Sequence, residues 1–360
     1  MNIKKKSFGK TQAGDEAFLY VLTNENGMSV SFSDYGAIIV NVLVPDANGK
    51  LEDVVLGFDN VTGYEINSGG YGSFIGRHAN RISGAAFELN GKRYELDKNE
   101  GQNNLHGGFK GYNKHIYEVE VFEEEDSDSI EFSRLSPDME QGFPGNLDIS
   151  ITYTLTEDNE LVVEYLAVSD KDTIVNLTNH SYFNLAGHSS GSVLNQKVML
   201  DADKFTPTDD SLLPTGEIRD VTGTPMDFRI LKTIGQDINA DYIPLKQAGG
   251  YDHNYVLNNS KSNSKSNSKS EVEKVAELLD EKSGRAMEIF TDMPGIQLYT
   301  GNFIKGTEAC KNGAIYQKNA GVCFETQYFP DSCNRPEFTP CILKAGSEYD
   351  FVTVFKFSVR

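Results

Sequence analysis

Positive charge is in short supply in this chain. Its 360 residues carry 33 Lys and Arg against 53 Asp and Glu, a formal net charge of -20 at pH 7. That balance repels phosphate backbones and anionic headgroups, which argues against nucleic acid or a membrane surface as partner. Long apolar runs are also missing. No stretch is long enough to span a bilayer, and the basic start Lys4-Lys5-Lys6 has no apolar signal segment behind it. Cysteine is scarce: Cys310, Cys323, Cys333 and Cys341, with no Cys-x-x-Cys pair. This argues against a disulfide framework and a zinc site, and points to free thiols in a reducing compartment, the cytoplasm by default. A neutral ligand held by hydrogen bonds and stacking fits what remains. The length suffices for an ample core without staples.

What is present reads as strands and turns. Residues 28–33 alternate apolar and polar, and 38–44 form a β-branched run that ends at Pro45-Asp46-Ala47-Asn48-Gly49. Asn48-Gly49 and Asn90-Gly91 both suit tight hairpins, the second between 87–89 and 93–96. The clearest strand is 147–155, where Leu147, Ile149, Ile151, Tyr153 and Leu155 alternate with polar residues. Segments 116–122, 130–134, 161–168 and 196–201 add further strands, and 351–359 closes the chain with one that completes a sheet. No long amphipathic helix interrupts the middle of the chain, so the fold class is all-β, a large antiparallel β-sandwich. The Ser/Asn/Lys repeat at 258–270 cannot bury apolar surface and reads as a loop inserted in a single domain of residues 1–360. Residues 271–280 and 286–290 then form a hairpin rather than a helix.

Polar clusters punctuate these strands. Residues 176–185, Asn-Leu-Thr-Asn-His-Ser-Tyr-Phe-Asn-Leu, hold His180 among hydroxyls, carboxamides and aromatic rings. An imidazole can hold or give a proton near neutral pH, so His180 is a candidate acid or base. The competing reading is a core histidine satisfied by Asn179 and Ser181. Gly76-Arg77-His78-Ala79-Asn80-Arg81-Ile82 is a basic island: either surface salt bridges, or a planar donor fork for sugar hydroxyls or a carboxylate. In Asn104-Leu105-His106-Gly107-Gly108 the glycines make a loop or let the backbone approach a neighbour. Tyr251-Asp252-His253-Asn254-Tyr255 gathers polar groups just before a strand, and Gln297 shares a strand face with Tyr299. Glu325 lies opposite Val322 and Phe324 in an apolar strand, where a carboxylate either pairs with a cation or does chemistry. His115, His188 and His253 read as surface or structural imidazoles. A metal site from His106, His180 and His253 lacks any short ligand spacing.

Taken in series, Gly76-Arg77-His78-Ala79-Asn80-Arg81-Ile82, Asn104-Leu105-His106-Gly107-Gly108, Thr178-Asn179-His180-Ser181-Tyr182-Phe183-Asn184-Leu185, Tyr251-Asp252-His253-Asn254, 294–302 and Glu325-Thr326-Gln327 resemble the aldose 1-epimerases (galactose mutarotases) over nearly the whole chain. The resemblance implies a galactose mutarotase-like supersandwich with an open sugar cleft, a free aldose as substrate and no metal or organic cofactor. It implies His180 as general acid, Glu325 as general base and His106 as a second cleft histidine that holds the sugar and polarises the ring oxygen. Asn80, Arg81, Asp252 and Gln297 resemble the hydroxyl ligands, and Ser181 and Tyr182 belong to the binding motif. Departures are the absence of tryptophan, Tyr117 where relatives often carry one, and His78 within Gly-Arg-x-Ala-Asn-Arg, all read as packing changes. Neighbouring readings are a hexose-6-phosphate 1-epimerase, which needs cations for its phosphate, a glycoside hydrolase using Glu325 and Asp252, and a non-catalytic sugar-binding protein. A monomer and a homodimer are equally compatible.

Overall fold

The alternating pattern at 147–155 becomes the strand Leu147–Thr156, whose inward residues Leu147, Ile149, Ile151, Tyr153 and Leu155 are all buried. It lies in a nine-stranded sheet ordered Glu118–Glu123, Ser127–Ser136, Leu147–Thr156, Glu160–Ser169, Glu348–Val359, Arg285–Thr291, Glu273–Leu279, Lys197–Leu200 and Lys232–Thr233. The computed structural model describes residues 2–66, 69–123, 127–258, 272–306 and 309–360; all but the first residue of the expected 258–270 insertion lies outside them. The C-terminal strand completes the large sheet, as expected. It sits in the interior of the large sheet, paired on both sides, because its alternating apolar residues reach Phe355 and Phe357 in the core. Residues 273–291 form the expected hairpin.

Two smaller sheets cover this layer. The first is a meander of Asn2–Lys10, Glu16–Thr23, Ser29–Ser33, Ile38–Pro45 and Leu51–Asp53. The second is ordered Arg219–Asp220, Lys204–Phe205, Asp252–Val256, Gly295–Tyr299 and Cys323–Gln327. All neighbouring strands in the three sheets run antiparallel. One continuous core takes Ile151 and Phe355 from the large sheet, Val30 and Phe32 from the meander, and Ile296 and Phe324 from the second sheet. Phe32 stacks on Tyr153 at 4.4 Å between ring centroids. Burying these side chains contributes roughly 1.5–3 kcal/mol each.

α-Helices are confined to Val61–Ile66 and Ile243–Ala248 among the described residues, and no helix there is long and apolar enough to cross a membrane. The Asn90-Gly91 hairpin forms as its chemistry requires, with both residues at positive φ (54° and 74°) between Ala86–Leu89 and Lys92–Glu95. Tyr117 is buried and donates its hydroxyl to the Tyr112 carbonyl (3.0 Å), and His78 is fully buried beside Cys341. None of the four cysteines forms a disulfide among the described residues.

Candidate active site

Period-two geometry builds the floor of the site. In the second sheet Asp252 opposes Tyr299, which opposes Cys323; Asn254 opposes Gln297, which opposes Glu325. Opposed residues of an antiparallel pair share a face, so these six form two polar rows across three strands. The intervening Tyr255, Ile296, Leu298 and Phe324 turn into the core. The segment expected just before a strand is therefore the strand Asp252–Val256 itself. His253 points to the other face, fully buried, its ring 5.9 Å from that of Phe205.

His180 comes from the short strand Thr178–His180, paired with Ser73–Ile75. Three residues on, Phe183 forms a bridge with Val322, the residue before the Glu325 strand. That bridge lays the two segments side by side and brings His180 Nε2 to 3.6 Å from Glu325 Oε1. Both side chains are buried. The His180 ring stacks on Tyr182 (4.9 Å, 27°) and meets the edges of His106 (5.3 Å) and Tyr299 (6.1 Å). The alternative of a histidine satisfied by its neighbours does not arise: Asn179 Oδ1 accepts instead from the Ser181 N–H and hydroxyl, the latter at 2.6 Å.

His106 stands at φ 52°, at the end of the short strand Asn104–Leu105. A Cβ on Gly107, at φ 85°, would fall 2.1 Å from the Gly76 carbonyl oxygen. The glycine thus serves close backbone approach as well as the turn. This contact ties His106 to the Asn80 segment, whose backbone N–H donates to His106 Nδ1 at 3.1 Å. A ring nitrogen that accepts is bare, so the His106 proton resides on Nε2. Burial and the neighbouring His180 hold its pKa well below the ordinary value, so His106 is a neutral N–H donor.

The basic island divides. Arg77 is buried away from the cavity and donates to the carbonyls of Pro144 (2.7 Å) and Gly145 (3.0 Å) and to Ser136 Oγ (2.6 Å). Neither arginine makes a surface salt bridge: the Arg81 fork is engaged on Glu100 through Nε and Nη2, both at 2.7 Å, with only its edge at the cavity. Glu100 is a member of the site that sequence reasoning missed, as are Tyr299 and Cys323. Tyr299 carried a signal, its shared face with Gln297.

These groups line a cavity of about 580 Å³, bordered by Asn80, Arg81, Glu100, His106, His180, Tyr182, Asp252, Tyr299 and Glu325, with Phe109 and Phe303 exposed at its rim. Two expected ligands stand back from it. Ser181 is turned to Asn179, and Gln297 donates to Asp252 Oδ1 (2.7 Å) from beneath. Burial pushes the His180 imidazolium down to about 4. Burial, reinforced by Asp252, pushes the Glu325 carboxyl well up. Glu325 Oε2 is buried and has no partner among the described residues. An unpaired buried carboxylate oxygen is costly, which favours the protonated form of Glu325.

His106, His180 and Glu325 offer atoms within 4.8 Å of one another, so the geometric test for a metal falls on this trio and not on one containing His253. The chemistry does not fit. The Asn80 N–H occupies the only lone pair of His106, leaving an N–H toward the trio where an ion needs a bare nitrogen.

An antiparallel β-sandwich whose cleft sets a buried imidazole against a buried carboxylate defines an acid/base site. Relatives agree. The family model for aldose 1-epimerase matches residues 19–356. Bos taurus galactose mutarotase is 42% identical over 359 residues, covering 100% of this chain and 99% of that protein. The aldose 1-epimerase of Haemophilus influenzae is 40% identical, covering 94% and 95%. Among solved structures, galactose 1-epimerase from Lactobacillus acidophilus superposes with a TM-score of 0.85 at 27% identity over 99% of both chains. An aldose epimerase homologue from C. elegans does so at 0.81 and 31%, over 94% and 98%. The chain belongs to the aldose 1-epimerase family.

Proposed function

We propose that this protein is an aldose 1-epimerase, interconverting the α and β anomers of free aldoses of the galactose and glucose type by opening and reclosing the ring. The observation that carries the mechanism is the 3.6 Å approach of His180 Nε2 and Glu325 Oε1 in a buried cleft. The two oxygens of a hemiacetal carbon, O1 and O5, lie close enough together for one to meet each group. Glu325 takes the O1 proton while His180 gives its own to O5; the C1–O5 bond breaks and an aldehyde forms. Rotation about C1–C2 presents the other face, and both proton transfers reverse on closure. Each positioned transfer contributes about 10²- to 10⁴-fold.

Ring opening turns an imidazolium and a carboxylate into a neutral imidazole and a carboxylic acid. Burial pushes both groups toward those neutral forms, so it favours the opened state and disfavours the ion pair that begins opening, which the sugar's hydroxyls must stabilise. His106 donates from Nε2 to the sugar, Asn80, Arg81, Asp252 and Tyr182 bind its hydroxyls and ring, and Ser181 and Gln297 act through Asn179 and Asp252. The sites of Arg77 and Arg81 disfavour a phosphosugar, since one is engaged on carbonyls and the other on Glu100. Four cysteines outside any disulfide support a cytoplasmic setting. Polarimetry on freshly dissolved α-galactose, α-glucose and α-xylose tests the proposal. Purified protein speeds the drift to equilibrium many-fold, and a drift at the buffer's own pace would refute it.

A further inference from the structure

Strand Cys323–Gln327 touches His180 twice. Cys323 and Glu325, two residues apart, share the cleft face. Glu325 Oε1 stands 3.6 Å from Nε2 of the His180 ring, and Cys323 Sγ stands 3.5 Å from Nδ1 of the same ring. We propose that Cys323 is a positioning residue that keeps the His180 proton on Nδ1, so that Nε2 alone exchanges protons with the sugar.

The reaction requires this division. As acid, His180 gives a proton from Nε2 to O5, and Nε2 must then stay bare to take the proton back when the ring closes. An imidazole that moved its remaining proton to Nε2 would block closure. Holding it on Nδ1 takes an acceptor there, because the partner of one ring nitrogen determines which nitrogen is protonated. Two acceptors are present: the backbone carbonyl of His180 itself and the Cys323 sulfur. The thiol is completely buried and stays uncharged, since burial and the nearby Glu325 and Asp252 push its pKa well up. A neutral sulfur is a weak acceptor. It orients Nδ1–H without binding the imidazolium as a carboxylate would, so His180 remains a strong enough acid to protonate an ether oxygen. The other groups facing the ring are His106, held neutral, and the phenols of Tyr182 and Tyr299, both pushed up by burial.

The inference rests on His180 as the acid of the proposed reaction, and the test separates the two. Nitrogen-15 NMR of the histidine-labelled full chain reads the His180 tautomer without reference to activity; polarimetry gives kcat, KM and the pH profile. In Cys323→Ala and Cys323→Val, kcat falls about tenfold, the effect of losing about one weak hydrogen bond. KM holds, the acid limb of the profile moves, and the Nδ1–H signal gives way to mixed tautomers. Cys323→Ser, which restores an acceptor, keeps the wild-type tautomer and stays within about threefold of its kcat. Unchanged kcat, acid limb and tautomer in Cys323→Ala would overturn the proposal. So would equal losses in the Ser and Ala variants with the tautomer intact, which would reduce Cys323 to packing. A wild-type protein that fails to speed mutarotation would instead defeat the functional assignment.

Discussion

At the scale of single residues, the site depends on one proton shared between two groups. With one proton on the His180–Glu325 pair, the pair has both a donor and an acceptor. As pH falls through the His180 value of about 4, a second proton arrives and Glu325 can no longer accept. As pH rises past the elevated Glu325 value, the last proton leaves and no donor remains. The rate profile is therefore bell-shaped, and its acid limb should lie near 4, well below the 6.5 or so of an ordinary imidazole. A midpoint at the ordinary 6.5 would contradict the burial of His180. His180→Asn and Glu325→Gln should each lower the anomerisation rate by about 10²- to 10⁴-fold. The double variant should be little worse than the poorer single, since the two act as a unit. Because His106 presents an N–H rather than a lone pair, dialysis against EDTA should leave the rate unchanged; a loss restored by zinc would mean the Asn80–His106 bond had been misread.

At the scale of elements, the site is a product of register. The period-two alternation in 323–327 predicts that Val322 and Phe324 face the core while Glu325 faces away, and the strand obeys it. Hairpins at Asn90-Gly91 and 273–291 were legible for the same reason: local turn chemistry and local alternation set them. The 251–255 segment was misread as a lead-in because its cleft-facing positions are polar and its core-facing ones are His253 and Tyr255, which hides the alternation. The Arg81–Glu100 fork and the Phe183–Val322 bridge were illegible, because sheet order brings those segments together and no local pattern records it. Gly107 is the element-scale weak point. A side chain there meets the Gly76 carbonyl at 2.1 Å on a left-handed backbone, which costs about 1–3 kcal/mol. Gly107→Ala should lower the melting temperature by several degrees and, by shifting His106, lower kcat as well. A wild-type melt together with a wild-type rate would show that the Gly76 contact does not hold the histidine in place.

At the scale of the whole molecule, charge decides what reaches the cleft. The chain carries a net charge of -20, and the cavity wall adds the acidic residues Glu100 and Asp252. Two of the cations that line it are already engaged: Arg81 on Glu100, and Lys114 Nζ on the carbonyls of Tyr64 and Glu65. Lys305 is exposed on the rim. A neutral pyranose feels none of this field, whereas a hexose 6-phosphate must bring a dianion into a negative, poorly solvated mouth. Like-charge repulsion of this kind lowers association by about 10-fold or more at low salt and weakens as salt screens it. The kcat/KM for galactose should therefore stay flat between low and high ionic strength. That for galactose 6-phosphate should start more than about tenfold lower and rise toward it as salt is added. A phosphosugar preferred at low salt, and losing ground as salt rises, would require an unpaired cation in the cleft. It would mean that Arg81 exchanges Glu100 for the phosphate, and would move this chain toward the hexose-6-phosphate epimerases.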